Sequence, residues 1–448
     1  MGVRGVLSRE SLGALILALA IPLLFLGETH QPVLELELGS ATVDPTPADA
    51  ALVAVLIAAV MSLVTHGAWR LSAARIVWIP GVLLFAWLGF QALRPASTGD
   101  PSFEDHLVDY GELLTYALLA VAVPLIVRRA QDLAIVVAGI VLWSLAATGV
   151  ALAQLLGADI LDAGVTGGRQ PSFLTVHDLA ALSALSAGIA AAGILATRRR
   201  IPAPALFPIA IVAGGLGLVI AGSMVAIAGF AVGAILAIVV ARGRLAPAGP
   251  RGPSLFALAA FIVIVAVGAS AVRAGWVERA LDGSDAATEE VAPGPQPEVM
   301  TYIAFRVFQD NPLLGVGWLR AGNFEFLEPH VDDARKRFSD EPEASFPFQD
   351  VAIPSMYAQL LAEAGVIGLA LLIALGVGGL VLCWRTASYA SVPWAAGAGL
   401  AMLCALPALA GEWALVALVP GTPIQAATAL ALGLAAAGAA TVEDESGG

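Results

Sequence analysis

The chain has 448 residues, of which 59% are hydrophobic and 13% are charged. Apolar runs long enough for a helix to cross about 30 Å of hydrocarbon recur along it, which excludes an ordinary soluble protein. The formal net charge of −13 arises from acids in a few connections between these runs, so it does not indicate a nucleic-acid partner. The expected fold class is an all-α polytopic membrane protein in contact with the lipid bilayer.

Apolar runs bounded by charged residues, Pro or Gly predict about twelve transmembrane helices, with one long connection after the ninth. The predicted spans are 11–27, 49–65, 76–93, 112–127, 133–156, 178–197, 203–221, 223–241, 254–272, 354–383, 391–410 and 418–440. The cysteines, Cys383 and Cys404, lie inside such runs and are expected to be apolar packing residues.

Arginines occur on alternate connections, for example Arg70, Arg128 and Arg385, and acids fill the others. Because positive charge favours the cytoplasmic side, both termini are predicted to be cytoplasmic. The predicted organisation is nine spans in 1–272, an extracytoplasmic loop with surface helices in 273–353, and three spans with a cytoplasmic tail in 354–448.

Two polar stretches lie at the predicted outer ends of spans. GRQPSFLTVHDLAAL places Arg169 and the pair His177-Asp178 at the entrance of the sixth span, and AGSMVAIAG places Ser223 at a very short turn. An arginine near the outer bilayer surface departs from the usual charge bias, which makes Arg169 a candidate for binding an anion. A surface ion pair, or contact with lipid phosphate, is the alternative.

The 273–353 segment is the longest hydrophilic stretch, and long ordered connections usually carry function. In it, Tyr302, Phe305 and Phe308 predict an amphipathic helix on the surface, which Asn311-Pro312 ends.

Gly315-x-Gly317 permits a tight turn after that helix, and the turn would set Arg320 over the membrane. Arg306 and Arg320 are further candidates for binding an anion, with ion pairs to neighbouring acids as the alternative. For the glycines, a loop corner without a binding role is the alternative.

The stretch NPLLGVGWLRAGNFEF, followed by YAQLLAEAGVIGLALLIALG, resembles the O-antigen ligase and polymerase superfamily of bacterial membrane glycosyltransferases. In that family a large periplasmic loop precedes a span whose outer end reads Glu-x-Gly-x-x-Gly, and Glu363, Gly365 and Gly368 fit it. Arg169 and Ser223 fit two further family motifs.

The chain also departs from the family pattern. Met224 stands where the family has an arginine, and no arginine stands near Pro297, where another is usual. Pro354-Ser355 replaces a His-Asn pair, and Asp178 replaces an asparagine. The usual candidate base is therefore missing, and His177 beside Asp178 is the chosen replacement, with Asp350 in reserve.

The resemblance implies that a glycan is transferred, or polymerised, from a polyprenyl diphosphate to a glycan or lipid acceptor at the outer face of the cytoplasmic membrane. Such a reaction needs cations at the leaving diphosphate, a base at the acceptor hydroxyl and an apolar groove for the lipid. No metal or cofactor is implied. The predicted substrate-binding residues are Arg169, Arg306, Arg320, Ser223, Gly315, Gly317 and Glu363.

Two other functions stay open. The missing base and arginines favour a catalytically inactive member that binds glycolipid or scaffolds a complex with other membrane proteins. A lipid or small-molecule transporter is the other, although acids inside the predicted spans are nearly absent and Glu363 is the only plausible candidate for an ion-coupling acid. The sequence does not distinguish a polymerase from a ligase, because both enzymes use the same donor.

Overall fold

A computed structural model of the protein describes residues 11–27, 30–32, 36–38, 41–43, 45–94, 103–158, 160–161, 169–195, 205–244, 252–274 and 295–446. Within these ranges the first nine helices are α1 (Leu12–Leu24), α2 (Pro47–His66), α3 (Arg75–Leu93), α4 (Phe103–Ile126), α5 (Ala130–Leu155), α6 (Val176–Leu195), α7 (Leu206–Ala221), α8 (Met224–Arg244) and α9 (Gly252–Arg273). The remaining helices are α10 (Pro297–Asp310), α11 (Phe324–Arg337), α12 (Met356–Tyr389), α13 (Pro393–Glu412) and α14 (Pro423–Ser446). Two 3-10 helices span Trp69–Ala74 and Glu343–Ser345, and β1 (Leu36–Leu38) pairs antiparallel with β2 (Ala41–Val43).

The twelve predicted spans each coincide with an apolar helix. Ten of the described helices are long and apolar enough to cross a membrane, and α1 and α7 are shorter apolar helices of 13 and 16 residues. The chain is therefore a multi-pass, all-α membrane protein, as predicted. At its C-terminal end α13 continues two residues beyond the predicted span and so includes Glu412.

Helices α6, α13 and α14 form the centre of the bundle, and most of their residues are buried. Glycines allow the backbones of α6 and α8 to pack directly against the backbone of α13. A Cβ on Gly188 would strike the carbonyl of Ala401, and one on Gly229 would strike the carbonyl of Pro407. Such small residues are what close helix packing in membranes requires, because apolar side chains gain little from leaving lipid.

Arg70 fastens the end of the bundle where α2 ends and α3 begins. Its buried guanidinium donates from Nε to the Pro124 carbonyl at 2.9 Å and from Nη2 to the Val127 carbonyl at 3.1 Å. A third, longer bond of 3.4 Å reaches the Ala437 carbonyl in α14. The cation thus satisfies carbonyls at the C-terminal end of α4 and joins that helix to α14.

Residues 295–353, which we call the roof, lie at the opposite end of the bundle, and we call that end the loop face. The roof helices α10 and α11 pack around their own small apolar core, which includes Met300, Ile303, Val307 and Leu327. Residues 275–294, with Arg279 and Ser284, lie outside the described part of the chain.

The predicted surface helix exists as α10 and ends at the predicted place, with Asn311 as its C-cap. Its buried face is not the face that carries the three aromatic residues. The buried stripe is aliphatic and includes Val299 and Ile303, whereas Phe305 is 45% exposed. The aliphatic stripe packs into the roof core because α11 and α12 cover that side of the helix, which sequence periodicity alone does not reveal.

Candidate functional site

A buried carboxylate joins three helix ends at the loop face. Glu412, the last residue of α13, is fully buried, and its Oε2 lies 2.7 Å from Nδ1 of His177 in the first turn of α6. Its other oxygen accepts a hydrogen bond from the Ser223 hydroxyl, which lies between α7 and α8. His177 keeps 24% of its side chain exposed, so a substrate could reach the imidazole ring.

The turn that presents Ser223 depends on Gly222. This glycine caps α7 in the left-handed region, with φ 61°, and lets α8 begin at once with Met224. A Cβ at Gly222 would lie 2.9 Å from Cδ of Arg169, so the arginine stem packs directly on the glycine. Arg169, His177, Ser223 and Glu412 therefore form one group, which we call the polar cluster.

The electrostatic surroundings of Arg169 are mixed. Burial and then the nearby Arg273 guanidinium lower the pKa of Arg169, while the Glu412 carboxylate opposes this shift. A half-buried guanidinium near a second guanidinium is a costly arrangement, and it is well suited to receive an anion.

In its described hydrogen bonds Asp178 contacts helix ends, and not the His177 ring beside which the sequence places it. Its Oδ2 accepts a hydrogen bond of 2.7 Å from the Thr175 hydroxyl, and Thr175 in turn accepts from the Asp178 backbone N–H, so the pair caps α6. Its Oδ1 accepts from the backbone N–H of Ile424 at 3.0 Å, at the start of α14. Asp178 thus stabilises two helix ends, and the carboxylate that contacts His177 belongs to Glu412.

Asp350, the reserve base, is also a structural residue in its described contacts. Its Oδ1 accepts a hydrogen bond of 2.7 Å from the backbone N–H of Phe324, the first residue of α11. The structure describes no contact between Asp350 and the polar cluster. Its carboxylate serves the N-terminus of a roof helix, where an acid is favourable.

Arg306 takes part in a surface ion pair on the roof. Its Nε lies 3.1 Å from Oδ2 of Asp333, and both side chains are more than a third exposed. Tyr302 donates a hydrogen bond of 2.7 Å to the same carboxylate oxygen, and this bond is the main reason that the pKa of Asp333 is below its usual range. The structure describes no contact between Arg306 and the polar cluster. The described contacts of Arg306 are those expected of a surface ion pair, the alternative to binding an anion.

Arg320 is buried within the roof, with only 8% of its surface exposed. Its guanidinium carbon lies 4.9 Å from the centre of the Phe326 ring, and its stem lies beside Gly317. The structure describes no contact between Arg320 and Arg169 or His177. The predicted role of Arg320 in binding substrate remains a prediction.

Gly315, Gly317 and Glu363 meet at a break in α12. Gly365 has φ 66° and ψ −167°, so the helix is interrupted there and the preceding carbonyls lose their helical partners. The N–H groups of Val316 and Gly317 donate to the carbonyls of Ala362 and Glu363, both at 2.9 Å. The Gly-x-Gly turn thus docks backbone to backbone into the broken helix.

The Glu363 side chain also fastens the roof. It is buried, its Oε1 accepts a hydrogen bond of 3.1 Å from Gln359, and the backbone of Leu319 and Ala321 approaches its carboxylate. Gln359 in turn accepts from the Leu418 N–H at 2.7 Å, in the connection between α13 and α14. These contacts join α12 to the roof, and the predicted role of Glu363 in binding substrate remains a prediction.

Two side chains of α3, and that of Arg94 directly after it, hold the same loop from the other side. The indole N–H of Trp87 donates to the Ala364 carbonyl at 2.9 Å, Gln91 donates to Leu314 at 2.8 Å, and Arg94 donates to Gly315 at 2.9 Å. Their spacing of four and then three residues brings them to one side of the helix. The roof is therefore fixed to α3 as well as to α12.

A large apolar cavity of about 610 Å³ lies between α3, α4, α12, α13 and α14. Its walls include Phe85, Leu118 and Leu372, with Thr428 among its few polar residues. From α13 the cavity is lined by Leu406, Pro407, Leu409 and Ala410, and directly after α13 by Trp413, whereas Ala408 packs on α8 and Glu412 reaches α6 and α8. The cavity and the polar cluster therefore lie on different sides of α13.

Glu412 and Arg273 are the residues that sequence reasoning did not select. An acid beside Trp413 at the end of an apolar run was the available signal for Glu412, since a buried acid in a membrane helix usually has a function. In the described part of the chain, no three His, Cys, Asp or Glu side chains converge as a metal site would require.

Residues 209–373 match the family model described as O-antigen ligase. No curated protein matches the chain. The matched region begins in α7 and ends within α12, so it contains Ser223, Arg273 and the whole roof, whereas His177 and Glu412 lie outside it. This match supports glycan transfer at a membrane, with glycan and lipid substrates, as the general activity. Over residues 209–373 the chain is thus similar to the O-antigen ligase family.

Proposed function

We propose that the protein transfers a glycan from a polyprenyl diphosphate to an acceptor hydroxyl at the outer face of the cytoplasmic membrane. The observation that carries this proposal is the buried Glu412 carboxylate, which holds His177 at 2.7 Å beside Arg169 at the loop face. This arrangement supplies an oriented base and a cation, the two groups that such a transfer needs.

In the proposed reaction His177 is the general base. With Nδ1–H donated to Glu412, the imidazole has its lone pair on Nε2, and Glu412 fixes this tautomer and stabilises the imidazolium that forms. Nε2 takes the proton of the acceptor hydroxyl as its oxygen attacks the anomeric carbon. The bond from that carbon to the diphosphate oxygen breaks, and the diphosphate leaves with the electron pair.

Arg169 binds the leaving diphosphate. Negative charge grows on the bridging oxygen as the glycosidic bond breaks, so a guanidinium already held in place lowers the barrier. Packing of the Arg169 stem on Gly222 gives the side chain a fixed position. The apolar cavity lies on the other side of α13, where it offers space for a hydrocarbon chain of a lipid acceptor.

The test is transfer by the purified protein in nanodiscs, with a polyprenyl-diphosphate-linked glycan as donor. His177→Ala is expected to lower the transfer rate by about 100-fold or more, because general-base catalysis contributes that much. Glu412→Gln should lower it too, since a neutral amide stabilises the imidazolium less well. His106→Ala, at a histidine outside the polar cluster, is the matched control and should leave the rate unchanged.

An unchanged rate in a folded His177→Ala protein would remove His177 as the base. If the wild type transferred no lipid-linked glycan but co-purified stably with other membrane proteins, the scaffold alternative would replace this proposal. Lipid or solute flux into vesicles without transfer would favour the transporter alternative.

A further inference from the structure

The last turn of α9 lies against the turn between α7 and α8. A Cβ on Gly268 would lie 3.0 Å from Cγ2 of Val219, so the two helices approach closely just before their ends. Two residues later, the Ser270 hydroxyl lies 3.8 Å from Sδ of Met224. The end of α9 is therefore anchored beside the residues that present Ser223 to Glu412.

Arg273 ends α9 one turn beyond this contact. Its neighbours Ala269 and Val272 are buried, whereas Arg273 itself is exposed, so its side chain extends from a fixed helix end at the loop face. The charge of Arg273 acts on Arg169, which sits on Gly222 at the same turn. Two arginines from separate parts of the chain thus lie at the place where α7, α8 and α9 come together.

The charge of Arg273 disfavours the charged form of Arg169, and the Glu412 carboxylate favours it. That carboxylate already contacts His177 and Ser223, so it is shared among several groups. Like charges held close together cost free energy, and the cost is removed when an anion binds between them. A diphosphate has two phosphoryl groups, so it matches two guanidiniums better than a single phosphate does.

We infer that Arg273 is the second arm of a diphosphate clamp whose first arm is Arg169. This inference rests on the proposed function for the identity of the ligand, but it concerns binding and not transfer. The two arginines are far apart in the sequence: Arg169 precedes α6, and Arg273 ends α9. Formation of the clamp therefore requires α9 to pack correctly on α7 and α8.

The position of Met224 allows a rescue experiment. Because Met224 contacts Ser270, one turn before Arg273, an arginine at position 224 would place a guanidinium close to the same point from α8. The full-length protein in nanodiscs is titrated with farnesyl diphosphate and with farnesyl monophosphate. The variants are Arg273→Ala, Arg273→Ala with Met224→Arg, Arg169→Ala as the positive control, and Arg335→Ala, a roof arginine paired with Asp332 and Glu343.

Arg273→Ala is expected to weaken farnesyl diphosphate binding by about tenfold or more, and monophosphate binding much less, because a bidentate charged contact is lost. The double variant should regain most of the affinity, and Arg335→Ala should bind as the wild type does. Thermal unfolding of each variant verifies that it is folded.

Wild-type affinity in Arg273→Ala, together with lost affinity in Arg169→Ala, would overturn the inference. A folded double variant that binds no better than Arg273→Ala would also contradict it, since a cation at that place would then be insufficient. If farnesyl diphosphate binds through Arg273 but no glycan is transferred, the clamp stands and the proposed function fails. The two ideas are therefore tested separately.

Discussion

Gly365 determines how the roof joins the membrane helices. Its φ of 66° lies in the left-handed region, and a Cβ there would strike the carbonyl of Leu313. Only glycine combines this conformation with such a close approach at low cost. The break frees the carbonyls of Ala362 and Glu363 for the loop, so the same residue ends one segment of helix and creates the loop's docking site.

We expect Gly365→Ala to lower the free energy of unfolding by about 3 kcal/mol or more, because both strain and a backbone clash arise. Gly376→Ala is the matched control in the same helix, where a Cβ would meet nothing within 4 Å. That variant should be neutral or slightly stabilising, since alanine favours a helix. Thermal unfolding in detergent compares them, and equal stability of the two variants would show that the break is dispensable.

Sequence reasoning found part of the polar cluster. Arg169, His177 and Ser223 were selected from their positions at span ends, and the structure brings them together. Glu412 was not selected because the predicted span stopped at residue 410. Arg273 escaped because its place beside Met224 depends on how α9 packs, and no pattern in a single sequence reports that contact. The roles of these residues stay predictions.

At the scale of elements, the apolar runs predicted the helices well because length and hydrophobicity alone decide whether a segment suits a bilayer. The roof was predicted less fully. The end of α10 at Asn311 followed from Asn-Pro, but its aliphatic buried face depends on contacts with α11 and α12. Likewise, Asp178 and Asp350 were selected as acids near a cavity, and both prove to cap helices in their described contacts.

Arg70 offers a test of how elements are joined at the end away from the roof. Arg70→Met removes a buried guanidinium that serves carbonyls of α4 and α14, so it should destabilise the protein by about 2–4 kcal/mol. Arg75→Ala, at an exposed arginine five residues later, should cost less than about 0.5 kcal/mol. Chemical or thermal unfolding in detergent measures both. Equal effects would mean that the carbonyl contacts of Arg70 contribute nothing.

At the scale of the whole molecule, the distribution of arginines predicts that the loop face points out of the cell. Ser339 is exposed on the roof, so Ser339→Cys should react with a membrane-impermeant maleimide on intact cells. His66→Cys, exposed at the other end of the bundle, should react only after permeabilisation. The native cysteines, Cys383 and Cys404, are buried and should give little background. Labelling of His66→Cys alone on intact cells would reverse the orientation.

The location of the apolar cavity and the polar cluster on different sides of α13 has a pharmacological consequence. A hydrophobic compound that fills the cavity and an anionic compound that binds at the arginines would not exclude each other. Both could occupy one molecule at once, so their inhibitory effects would multiply instead of competing. Joined by a linker that passes around Trp413, the two would gain further affinity from their high effective concentration.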